Sequence, residues 1–118
     1  MNQNLLLKSN KGTVGVIRNP YERVIALYYQ DLDYCGLDKW LSKKQPAKQV
    51  DLYKDCDYLI RFEDWKQELK DYELEVKDTS ILRDEEIVPM WDRWYTLRTQ
   101  SLVYHLYHED ITTYGYSF

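Results

Sequence analysis

Several things are scarce in this chain, and each scarcity closes off a class of protein. It holds two cysteines, Cys35 and Cys56, too few for a disulfide framework. They are expected to be free thiols of a reducing compartment. Two histidines, His105 and His108, are the whole imidazole supply. They lie three positions apart in "HLYHED", with no second cluster of metal-ligand type beside them, so no metal site is expected. Basic residues number 16 against 20 acidic ones, giving a net charge of −4 and a pI near 5.1. That excludes the broad basic face of a nucleic-acid binder, while leaving room for a local pocket for one small anion. Apolar runs are far shorter than the roughly 20 residues that cross a bilayer. In "MNQNLLLKSNKG" only Leu5–Leu7 are consecutive and apolar, too few for a signal-peptide core. These points lead to the expectation of a soluble, cytoplasmic protein with neither nucleic acid nor membrane as a partner.

What is present fits one globular domain over residues 1–118. Aromatics make up 15% of the chain, 12 of them Tyr and 4 Trp against 2 Phe, so tyrosine and tryptophan must fill much of the core. A hydrophobic share of 44% beside 31% charged residues is an ordinary globular balance.

The most informative stretch is "GTVGVIRNPYERVIALYY". Thr13 to Arg18 is β-branched and apolar on both faces, as in an interior strand of a covered sheet. Asn19 is a good N-cap and Pro20 a good first helical residue. Tyr21, Val24, Ile25, Tyr28 and Leu32 then form one helical stripe, predicting a helix from Pro20 to about Leu32. Leu5–Leu7 reads as an edge strand or a loose arm. "LDKWLSKK" reads as a short helix stopped near Pro46. Tyr58–Phe62 is a second strand, and Asp64 is expected to cap "WKQELKDYEL" with Gln67 as capping-box partner. Trp65, Leu69 and Tyr72 would be its buried face. Residues 73–90 read as irregular, with a short extended piece at "SILR". From Pro89 to His108 the pattern is helical, Trp91, Tyr95, Leu102 and Leu106 lining one side, and "HEDITTYGYSF" is a tail. Strand then helix, twice, predicts an α/β fold with a small, mostly parallel sheet flanked by helices.

Arg18 ends the first of those strands where a helix begins. In α/β sheets ligands gather beyond the carboxyl ends of strands, and a helix N-terminus offers free N–H groups and positive partial charge. A guanidinium there can fork onto a phosphate, or pair with a neighbouring acid.

"VGVIRNPYERVIALYY" resembles the 3′-phosphate-binding segment of the sulfotransferase family, in which a strand ending Val-x-Arg-(Asp/Asn)-Pro leads into a helix carrying Tyr-Glu-Arg. "YLIRFEDWKQEL" resembles the family's Arg-(Phe/Tyr)-Glu-(Asp/Asn) strand and helix. "VYHLYHEDITTYGY" resembles its Tyr-x-x-Asp and Phe-Gly-Tyr ending, here Tyr107, Asp110 and Tyr114-Gly115-Tyr116. The likeness is to the carbohydrate-type branch and covers only its C-terminal half. It implies a P-loop-like fold, truncated. It also implies transfer of a sulfuryl group from 3′-phosphoadenosine-5′-phosphosulfate to a hydroxyl or amine of a small-molecule or carbohydrate acceptor. Arg18 and Asn19 would hold the cofactor.

The chain departs from that pattern in two places. The family's second 3′-phosphate ligand is a serine eight positions after the arginine, where this chain has Ala26. Loss of one charge-assisted hydrogen bond removes about 1.5–3 kcal/mol. The family's 5′-phosphosulfate loop is matched only by "KSNKGT", whose composition is that of a polar turn, and no residue stands out as a catalytic base. The chain is then an inactive relative, one part of a split enzyme completed by a second chain, or a binding and assembly module on the same scaffold. An unpaired sheet edge would call for a homodimer or a second chain. The remaining constellations read more plainly: "LSKKQPAK" as a solvated loop, "DLDYCG" as a helix end, Glu63 as an ion-pair partner of Arg61, and "WDRWYTLR" as a core helix edge.

Overall fold

The first two strands are joined by Asn10–Lys11 alone, a connection too short for any but an antiparallel pair. In the computed structural model, which describes residues 4–31, 36–83, 85 and 87–118, β1 (Leu6–Ser9) pairs with β2 (Gly12–Ile17), Leu6 opposite Gly15 and Ser9 opposite Gly12. The turn is closed by Ser9, whose hydroxyl donates to the Gly12 carbonyl at 2.8 Å and accepts from the Lys11 N–H at 3.1 Å. β3 (Tyr58–Arg61) runs parallel to β2 on its other side, with Gly15 opposite Leu59. The sheet order is β1-β2-β3.

This corrects the expected mostly parallel sheet. The sheet is mixed, because Leu5–Leu7 and the "SNKG" turn belong to one hairpin with β2. Reading the turn and the arm separately hid the antiparallel pair.

Helix α1 spans Pro20–Asp31, within the predicted bounds. Leu32 and Cys35, and with them most of "DLDYCG", lie outside the described residues. Helix α2 is Leu37–Lys44, as expected, and the single turn α3 (Gln49–Leu52) follows Pro46. Helix α4 (Trp65–Asp71) forms after β3, but Asp64 makes no side-chain cap and Tyr72 is 48% exposed. Residues 80–83 form a helical turn, α5 (Ser80–Arg83), rather than an extended piece. The pattern after Pro89 breaks into a 3₁₀ turn at Trp91–Trp94 and helix α6 (Leu97–Leu106). The break comes from Thr96, whose hydroxyl accepts the Thr99 N–H while Thr99 answers the N–H of Thr96, a reciprocal cap that starts a new helix. The expected tail is ordered as α7 (His108–Tyr114), ended by Gly115 in the left-handed conformation.

Apolar side chains gather in two clusters. One face of the sheet, through Leu5, Leu7, Val14, Val16, Ile60 and Phe62, packs on Leu69, Leu74 and Leu82. Helix α1 belongs to the other cluster, where Val24, Ile25 and Leu27 meet Trp40, Leu41, Val103, Tyr107 and Ile111. Tyr95 and Trp91, expected on the buried side, pack against it half-buried. At Gly15 the far side of the sheet is approached so closely that a Cβ would stand 2.9 Å from the Tyr53 ring. The β2–α1 junction, where the sheet ends and the helical cluster begins, is therefore enclosed from several directions.

Candidate functional site

The junction follows from its sequence. β2 ends at Ile17, and Pro20 opens α1. Between them Asn19 caps the helix as predicted: its Oδ1 accepts the Tyr21 N–H at 3.1 Å, and its carbonyl takes the Arg23 N–H at 2.8 Å. The Asn19 amide donates to the Ser117 carbonyl at 3.2 Å.

Arg18 is only 2% exposed. Its Nη2 donates to Glu22 Oε1 at 2.5 Å and its Nη1 to Glu85 Oε1 at 2.9 Å. The guanidinium lies over the Phe62 ring, 4.3 Å from the centroid. Those carboxylates are themselves largely buried, 14% and 8% exposed at the side chain. The acid-paired alternative is thus the one this geometry displays. Glu22 belongs to the same short motif and Glu85 lies 67 positions away, so only the first could have been read from local spacing.

The backbone of Arg18 is gripped as firmly. Gln49, 1% exposed, accepts the Arg18 N–H on Oε1 and donates from Nε2 to the Arg18 carbonyl, both at 2.8 Å. A side-chain amide here takes the place of a neighbouring strand. Asp110, fully buried on α7, accepts the N–H groups of Gln49 and Val50 at 2.8 and 2.9 Å, so it caps α3 from outside. Tyr107 donates to the Pro46 carbonyl at 2.6 Å, and burial pushes its hydroxyl up to about 12. The Tyr-x-x-Asp positions therefore pin the α2–α3 connection beside the junction.

The remaining segments of the resemblance meet at the same corner. Glu63 accepts the Tyr116 hydroxyl at 2.5 Å and faces the Asn19 N–H at 3.4 Å. Desolvation raises the Glu63 carboxyl above its ordinary range, opposed in part by those two donors. Desolvation and the Glu63 carboxylate both raise the Tyr116 hydroxyl. Arg61, expected to pair with Glu63, donates instead to the Tyr114 carbonyl at 2.7 Å and stacks over the Tyr116 ring. The resemblance points to Tyr107 and Asp110 but not to their partners, and Gln49 is not singled out by the sequence, because a buried glutamine in a polar loop carries no local signal.

Arg23, one helical turn beyond Asn19, is 4% exposed, and desolvation lowers its guanidinium from the usual arginine range. With Arg18, Gln49, Tyr53 and Glu85 it lines an enclosed space of about 10 Å³, enough for one water.

The expected 3′-phosphate position at Arg18 is occupied in this arrangement by the protein's own groups. The donors that would fork onto it are on Glu22 and Glu85, the enclosed space is water-sized, and Ala26 is fully buried and offers no donor. "KSNKGT" is the β1–β2 hairpin turn, tied to Glu75 through Asn10. Among the described residues no group of His, Cys, Asp and Glu is arranged to hold a metal ion, and no helix is long and apolar enough to cross a membrane. Cys56 is half-buried, its thiol pushed up by desolvation and by Asp57 and Asp55, the opposite of an activated nucleophile. No family model matches this chain, nor does any curated protein or solved structure.

Proposed function

We propose that this protein is a non-catalytic binding and assembly module in which Arg18 serves as a structural ion-pair centre. The observation that carries this reading is the capture of the Arg18 guanidinium by Glu22 and Glu85 against the Phe62 ring. An arginine kept for a phosphate needs open donors, and these are buried on carboxylates. Sulfuryl transfer from 3′-phosphoadenosine-5′-phosphosulfate is the second reading. It is supported by the meeting of Asn19, Glu63 and Tyr116 at the N-terminus of α1, and it requires Glu85 to leave Arg18.

Isothermal titration with 3′,5′-adenosine bisphosphate separates the two. The module reading expects no heat at millimolar ligand. Micromolar binding abolished by Arg18→Ala, with the variant still folded, would overturn it in favour of the transferase. The assembly half of the proposal draws on the short sheet, in which β3 has β2 as its strand neighbour, and on exposed Trp94, Tyr29 and Leu97, the last 84% exposed. Trp94 and Tyr29 rest edge-on with centroids 6.0 Å apart, and large aromatics at a surface suit a protein contact. Sedimentation equilibrium should find a dimer, or a monomer that dimerises with a second chain. A monomer that neither self-associates nor retains any protein partner would remove this half.

A further inference from the structure

An open surface groove of about 900 Å³ lies between α2 and α6 and shares no lining residue with the space beside Arg18. Lys39 and Lys43 stand one helical turn apart on its α2 wall, about 6 Å along the axis. Arg98, Ser101 and His105 follow one another along the α6 wall. Among the described residues that line it, Asp38 is the only acid. A chain of net charge −4 thus gathers three permanent cations in one concavity against a single carboxylate among those described lining residues.

The Asp38 carboxylate does not cancel Arg98. Their closest approach is 4.0 Å, with side chains 40% and 84% exposed, and such a pair contributes little in water. The Arg98 fork remains able to turn inward. Lys43 also acts electrostatically on Asp31, which does not line the groove, so the strongest contacts are expected from Lys39 and Arg98 on facing walls. Sparse cations in a groove this size fit a small molecule rather than a nucleic acid, which needs a long basic track.

We propose that the α2–α6 groove binds a small phosphate-bearing molecule, its phosphate oxygens held between Lys39 and Arg98. Arginine supplies two parallel donors in the plane a phosphate presents, and lysine a point charge opposite. Ser101 and His105 offer further polar contacts along the α6 wall. The site shares no residue with the Arg18 junction, so its fate is independent of the module reading.

The test is a titration of the uniformly ¹⁵N-labelled chain with sodium pyrophosphate, followed by amide shifts, with a parallel arm using sodium sulfate. The expected result is a set of shifts confined to α2 and α6, with a dissociation constant of about 1 mM or tighter at low salt and weaker binding as salt rises. Lys39→Ala combined with Arg98→Ala should weaken it about tenfold or more. Both side chains are exposed, so the variant's other amide positions should be unchanged. Pyrophosphate should bind more tightly than sulfate. Equal binding of both would overturn the phosphate assignment, and shifts scattered over surface lysines, or unaffected by the double variant, would overturn the site.

Discussion

Replacing Arg18 with alanine separates a structural arginine from a ligand-binding one by the sign of a stability change. In the native protein the guanidinium is 2% exposed and lies on Glu22 and Glu85, whose side chains are 14% and 8% exposed. Arg18→Ala leaves both carboxylates desolvated without their cation and strips a flat cover from Phe62. Removing one partner of a buried ion pair costs about 3–5 kcal/mol, a large part of the 5–15 kcal/mol that holds a typical domain together. For a domain of this size the melting temperature should fall by roughly 10–20 °C. Urea unfolding at neutral pH gives the free energy directly, and circular dichroism the melting point. Replacing the whole group, with Arg18→Met, Glu22→Gln and Glu85→Gln together, should recover much of the loss, because the uncompensated charges go with the arginine. The reasoning fails if Arg18→Ala is as stable as the native protein or more stable. That is the expected outcome for a residue held at the expense of stability for a ligand.

Other expectations rest on separate contacts. Asp110→Asn keeps the shape but offers one oxygen where Gln49 and Val50 both donate, so the urea midpoint should fall by an amount equivalent to about 1–3 kcal/mol; an unchanged midpoint would show that Asp110 does not hold α3. Gly15→Ala would put a methyl 2.9 Å from the Tyr53 ring and 3.0 Å from Cys56 Sγ, and overpacking of this kind costs about 1–3 kcal/mol, measurable as a lower melting temperature. Glu63 has a folded pKa raised mainly by desolvation, so its contribution is complete below its unfolded value and is lost as pH rises through the folded one. The native protein should therefore gain stability relative to Glu63→Gln as pH falls from neutral toward the ordinary carboxylate range; a difference that shrinks or reverses on acidification would contradict the upward shift.

Local elements were legible where one short segment determines them. β2 and α1 could be read because Asn19-Pro20 marks the handover and the apolar spacing changes period there. Helix α2 could be read from its tryptophan and leucine spacing and its stop before Pro46. What could not be read depends on contacts between distant segments. The direction of β1 follows from its turn, yet whether Leu5–Leu7 pairs at all depends on β2. Asp64 has the right position for a cap, but no side-chain cap forms there. The C-terminal segment looks like a tail because its apolar content is low, but Asp110 and Tyr107 fix it through hydrogen bonds to α3 and Pro46.

The junction arginine shows the same limit in chemical form. A guanidinium after a strand and before a helix cap satisfies the local requirements for a phosphate ligand, and it satisfies equally those for a buried ion pair. The deciding carboxylate, Glu85, lies 67 positions away, beyond the reach of any local pattern. Gln49 then closes the backbone on both sides of the same residue, and the Phe62 ring lies against its guanidinium. A transferase would need the reverse arrangement, with rigid acids elsewhere and an arginine whose donors stay open until phosphate arrives. At this corner the contacts tie the sheet to α3 and α7, through Gln49 on Arg18, Asp110 on Gln49 and Arg61 on Tyr114.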